Sequence, residues 1–65
     1  MNITLDPTVR PTLSVDETAR LLGVGRATAY AAVKAGDIPS IRIGRRLLVP
    51  TAALRRLLML DDERD

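Results

Sequence analysis

Sixty-five residues with a single Tyr and no Trp, Phe, Cys or His allow at most one domain with an aliphatic core, and they exclude disulfides, thiolate or imidazole metal sites and histidine-based proton transfer. The net charge is only +2, but residues 20–56 carry eight Lys or Arg against Asp37 alone, whereas residues 1–17 carry one Arg against three acids and residues 61–65 one Arg against four, so a basic middle that attracts polyanions lies between acidic ends. No apolar run approaches the ~18 residues of a membrane span, and Asp6 and Pro7 stand where an export signal needs apolar residues, so a cytoplasmic protein without a membrane partner is expected.

Residues 1–12 hold Pro7 and Pro11 with scattered Thr and no sustained period. They read as an N-terminal arm, extended or disordered. Thr12 and Leu13 form a short lead-in to the first helix. Ser14-Val15-Asp16-Glu17 is a capping box, in which the Ser14 hydroxyl accepts from the Glu17 amide and the Glu17 carboxylate reaches back. Asp16 and Glu17 also suit the positive end of the helix dipole. Val15, Ala19 and Leu22 share one helical face. Gly23 then stops the helix as a residue that tolerates positive φ.

Gly23-Val24-Gly25 is long enough only for a tight turn. Arg26 to Ala35 is Ala-rich, lacks breakers and predicts a second helix, closed by Gly36 with Lys34 near the negative end of the dipole. Ala19 lets the two helices approach, Val24 fills the gap between them, and Ala29 and Val33 face inward. Arg26, Ala27, Tyr30, Ala31 and Lys34 are left on the outer face.

Ile41-Arg42-Ile43 and Leu47-Leu48-Val49 flank Gly44, which is a hairpin signal. A two-residue Gly44-Arg45 loop pairs Ile43 with Arg46 and suits a Gly in first place. A three-residue loop pairs Ile43 with Leu47 and Ile41 with Val49, and it gathers four apolar side chains on one face. The apolar pattern favours the second register and the glycine the first. Pro50 and Thr51 open a last helix, with Leu54, Leu57 and Leu58 as its stripe and an acidic tail over residues 61–65.

The order is helix, turn, helix, hairpin, helix. It predicts a mainly α fold with a small β-hairpin, a winged helix-turn-helix over residues 13–60. In such a fold the second helix enters the major groove of double-stranded DNA. Arg26 lies in its first turn, and Arg to guanine is the commonest specific contact. Thr28 sits near the helix N-terminus, where backbone amides favour phosphate, and Tyr30 can donate to a phosphate. Ala27 and Ala31 permit close approach, and Lys34 adds charge. Arg42, Arg45 and Arg46 around Gly44 suit a wing that enters a minor groove or grips backbone.

The string Leu13-Ser14-Val15-Asp16-Glu17-Thr18-Ala19-Arg20-Leu21-Leu22-Gly23-Val24 is followed by Arg26-Ala27-Thr28-Ala29-Tyr30, Gly36-Asp37-Ile38-Pro39, Arg42-Ile43-Gly44-Arg45-Arg46 and Val49-Pro50. Together these residues resemble the excisionase family of phage recombination directionality factors, which is similar to the MerR-type winged helix. The resemblance runs from about residue 13 to residue 58. Members of the family often carry Ser or Thr where Gly25 stands and an aromatic residue where Leu47 stands. The resemblance implies a non-enzymatic protein that binds repeated sites in a phage attachment region, bends the DNA and directs a tyrosine integrase toward excision. It also implies neighbouring copies bound head to tail on nucleoid DNA, and no cofactor or small-molecule ligand.

A small MerR-like or antitoxin-like transcriptional regulator is the alternative within the same fold. A protein-binding adaptor predicts no salt-dependent DNA binding, whereas contacts to several phosphates weaken steeply with salt. An enzyme lacks its parts here: Ser14 serves a cap, Ser40 has no visible base, and Gly23 and Gly25 are followed by no phosphate-binding motif.

Overall fold

A computed structural model describes residues 4–59, which form β1 (Thr12–Ser14), α1 (Val15–Leu22), α2 (Arg26–Ala35), β2 (Ile41–Ile43), β3 (Arg46–Pro50) and α3 (Thr51–Leu57). The acidic residues 61–65 lie outside the described residues. Three helices and a three-stranded antiparallel sheet make the expected winged helix-turn-helix. Among the described residues no helix is long and apolar enough to cross a membrane.

The capping box forms as the sequence dictates. Ser14 Oγ accepts from the Glu17 amide and Glu17 Oε1 accepts from the Ser14 amide, each at 2.9 Å. The other end of α1 closes in a Schellman motif: the Gly23 amide donates to the Arg20 carbonyl and the Val24 amide to the Ala19 carbonyl, with Gly23 at φ +74. Only a residue without a Cβ takes that conformation at little cost. The turn is therefore sharp enough to bring α2 back against α1 after three residues. Ala19, Ala29 and Val33 are buried between the helices. Val24, expected to fill the gap, is 39% exposed, with its amide tied to the Ala19 carbonyl.

The sheet order is β1-β3-β2. β1 is the lead-in at Thr12 and Leu13 realised as a third strand. Its Leu13 is the register partner of Val49 in β3, and both are fully buried. They join Val15, Ala19, Ala29, Val33, Ile38 and Leu54 in one core, with Leu22, Leu47 and Leu58 packed at its margin. Leu57, placed by sequence in the same stripe, is 47% exposed, because α3 offers only a narrow face to β3.

The hairpin takes the two-residue loop. Ile43 pairs with Arg46, Arg42 with Leu47 and Ile41 with Leu48. The three-residue register favoured by the apolar pattern is not formed. Gly44 sits at φ +61 while Arg45 does not have positive φ, which is the pattern of a type II′ turn whose twist matches the strands. The strand alternation then splits the four apolar side chains. Leu47 and Val49 face the core, and Ile41 and Ile43 lie on the outer face at 42% and 60% exposure.

Of residues 1–12, expected as an arm, extended or disordered, residues 1–3 lie outside the described residues and residues 4–11 fold back on α3. The Asp6 carboxylate accepts from the Thr8 amide and hydroxyl and closes a turn. Arg55 donates to the Leu5 carbonyl at 3.1 Å. The buried Thr51 donates from its hydroxyl to the Arg10 carbonyl and from its amide to that of Pro11. Leu5 is partly buried against the core.

Candidate nucleic-acid interface

The candidate surface begins with the periodicity of α2. Ala29 and Val33 are four residues apart and buried, and they fix which side of the helix faces α1. Arg26, Ala27, Thr28, Tyr30, Ala31 and Lys34 are all exposed. At about 100° per residue, Arg26, Tyr30, Lys34, Ala27 and Ala31 follow one another along an arc of about 140°, which starts beside Val33 at Arg26 and reaches the side opposite the buried pair at Ala31, with Thr28 about 60° beyond. Tyr30 is 40% exposed. The two alanines between the longer side chains leave a surface on which a rigid partner can come close to the helix backbone.

The N-terminus of α2 is bare. Gly25 is the N-cap, supplies no side-chain hydrogen bond, and the first turn contains no acid. The partial positive charge of the unsatisfied amides is therefore not neutralised by an adjacent carboxylate on the helix itself.

Asp16 stands in the first turn of α1, as the sequence predicts, and its side chain also reaches the start of α2. Arg26 Nε donates to Asp16 Oδ1 at 2.8 Å and Arg26 Nη2 donates to Asp16 Oδ2 at 2.9 Å. The hydrogen bond that Arg26 donates to Asp16, and then the charge of that carboxylate, hold the Arg26 guanidinium pKa above its ordinary value. The pair borders an open concavity of about 200 Å³ lined by Asp16, Ala19, Arg20, Val24 and Arg26. No local sequence signal announces this contact, since its partners are ten residues apart and meet only when the turn at Gly23 is made.

The wing carries its arginines on three sides. Arg42, Arg45 and Arg46 are all exposed, but the register puts Arg42 beside Leu47 on the side of the core and Arg46 beside Ile43 on the outer side. Arg45 occupies the turn. A strand-shaped tip with cations on both faces and at its end can meet phosphates on either wall of a groove. Among the described residues there is no grouping of acidic, His or Cys side chains that could hold a metal ion.

Comparison with known proteins agrees with this geometry. A family model described as a helix-turn-helix domain matches residues 12–59. A protein of Saccharopolyspora erythraea named "Probable excisionase" is 47% identical over 45 residues, a match that covers 69% of this chain. The chain spans about half the length of that relative, the match covering 46% of it. No solved structure gives a significant match.

Proposed function

The chain belongs to the helix-turn-helix domain family, and from that premise we propose that it is a sequence-specific DNA-binding excisionase. It binds repeated sites in a phage attachment region, bends the DNA and directs a tyrosine integrase toward excision. The observation that carries the reading is the exposed arc of α2, with Arg26, Ala27, Thr28, Tyr30, Ala31 and Lys34 outward and Ala29 and Val33 inward. The relative named as an excisionase supports the choice of process.

In this reading α2 lies in a major groove, where Arg26 reads a base edge and Tyr30 and Lys34 meet backbone. Thr28 and the bare amides at the start of α2 take a phosphate. The wing carries Arg42, Arg45 and Arg46 into the adjacent minor groove. Copies bind side by side on nucleoid DNA in the bacterial cytoplasm, and the acidic residues 61–65 of one copy meet the basic middle of the next.

Footprinting on the attachment-site DNA of the source genome, with and without its integrase, tests the proposal. Protection of adjacent sites that lengthens when integrase is added is the expected result. Protection of a promoter alone, indifferent to integrase, replaces excision with transcriptional regulation. Binding that does not weaken as salt is raised removes the DNA-binding reading itself. Deleting residues 61–65 should leave single-site affinity within a few-fold and reduce cooperativity at paired sites. Unchanged cooperativity removes the head-to-tail contact.

A further inference from the structure

Asp16 stands in the first turn of α1, where a carboxylate already suits the dipole and needs no other partner. It nevertheless spends both oxygens on one side chain of the next helix: Arg26 Nε to Oδ1 at 2.8 Å and Nη2 to Oδ2 at 2.9 Å. Both members are exposed, at 71% of the Arg26 side chain and 42% of that of Asp16. A pair so open to water contributes little to folding. Its effect is geometric. An isolated exposed Arg is spread over many rotamers, and ordering it on a ligand costs affinity. A two-point fork fixes the plane and direction of the guanidinium before any ligand arrives.

The fork also decides which donors remain. A guanidinium carries five N–H groups. Asp16 takes the Nε–H and one N–H of Nη2, which leaves the edge formed by Nη1 and the second N–H of Nη2. Two parallel donors along that edge match the O6 and N7 acceptors of guanine in the major groove. The carboxylate acts on selectivity as well, because a negative charge beside the guanidinium repels a DNA phosphate more than it repels a neutral base edge.

Resting on the DNA-binding reading above, we infer that Asp16 is a positioning residue for sequence recognition: it clamps Arg26 by the Nε side so that the Nη1–Nη2 edge is presented to guanine and held off the phosphate backbone. The sequence alone assigns Asp16 to the cap region of α1. The structure gives it a second role across the turn.

The test is a competition binding series on the footprinted site with each guanine changed in turn, at fixed salt, for the wild type, Asp16→Ala, Asp16→Asn, Asp16→Glu, Arg26→Ala and the Asp16→Ala/Arg26→Ala double variant. Arg26→Ala should remove a preference of about ten-fold or more at one base pair. Asp16→Ala should lose most of the preference at that same base pair, while its affinity for unrelated duplex stays level or rises. Asp16→Glu, which keeps a two-oxygen acceptor, should recover part of it. The double variant should discriminate no worse than Arg26→Ala.

Should Asp16→Ala fail to fold, Asp16→Asn carries the test, since it preserves volume and removes one acceptor oxygen and the charge. The inference is overturned if Asp16→Ala and Asp16→Asn raise affinity for all sequences alike and keep the preference, which makes the carboxylate a mask on the charge of Arg26. It is equally overturned if they lose preference at a base pair that Arg26→Ala leaves unaffected. A wild-type preference that Arg26→Ala abolishes, with both Asp16 variants unchanged, overturns this inference and leaves the DNA-binding reading standing. A wild type without any base preference overturns both.

Discussion

The Arg10 guanidinium donates to Glu17 Oε1 at 2.7 Å, and this ties the segment ahead of β1 to the first turn of α1. The same oxygen accepts from the Ser14 amide. One carboxylate therefore closes the capping box and anchors the N-terminal segment. β1 is caught between the two contacts, and the Leu13–Val49 pairing that builds the core depends on its position.

Replacing Glu17 by Ala should cost about 1–2 kcal/mol, mostly from the lost cap, with a few tenths at most from the half-exposed ion pair. The Arg10 hydrogen bond first, and the Ser14 amide second, hold the Glu17 carboxyl below its ordinary value of 4.5. The unfolded chain then binds the proton more readily than the folded one. The contribution is complete above the unfolded value and is lost as pH falls through the lower folded one. Melting temperature followed from neutral to acid pH should fall less steeply for Glu17→Gln than for the wild type below the ordinary carboxylate range. Parallel curves would remove Glu17 from the acid response.

Thr51 is fully buried, and its hydroxyl donates to the Arg10 carbonyl. Thr51→Val keeps the volume and removes the donor, which leaves that carbonyl short of a partner. A loss of about 1–2 kcal/mol is expected, read as a lower urea midpoint at unchanged slope. A neutral outcome would mean that water replaces the hydroxyl and that the N-terminal segment is held by the Thr51 amide and Arg55 instead.

Ser14, Glu17, Gly23, Gly25 and Gly36 announce the helix boundaries because capping and chain reversal are settled within four or five residues. The exposed arc of α2 is legible for the same reason, since Ala29 and Val33 share one turn-to-turn face. What the sequence hides is set by contacts between distant segments. β1 exists only because Leu13 meets Val49. Asp16 meets Arg26 only once Gly23 has turned the chain. Thr51 reaches Arg10 across 41 positions. In the wing the apolar pattern and the turn residue disagree, and the backbone preference of Gly44 prevails over the gain from gathering two isoleucines into so small a core.

Gly25 caps α2 at φ −71 and ψ 160 without a side-chain hydrogen bond, a backbone conformation that serine adopts freely. A Cβ built there meets nothing within 4 Å. Gly25→Ser should supply the missing acceptor for an amide of the first turn and restrict the unfolded chain, and so stabilise by about 0.5–1 kcal/mol. The check is thermal unfolding beside Gly25→Ala, which brings the entropic part without the hydroxyl. Equal gains from the two would show that the cap itself adds nothing here.

The hairpin register makes the sharpest stability contrast. Ile43 lies opposite Arg46 on the outer face of edge strand β2 and is 60% exposed, whereas Val49 is fully buried beside Leu13. Ile43→Thr keeps a β-branched side chain and removes little buried surface, so it should change stability by less than about 0.5 kcal/mol. Val49→Ala opens space in the centre of the core and should cost about 2 kcal/mol or more. In the three-residue register Ile43 would lie opposite Leu47 on the core face, and the two substitutions would then cost comparable amounts. Urea unfolding of both variants separates these cases: an Ile43→Thr penalty above half that of Val49→Ala contradicts the two-residue turn at Gly44. With it would go the division of Arg42 and Arg46 between opposite faces of the wing.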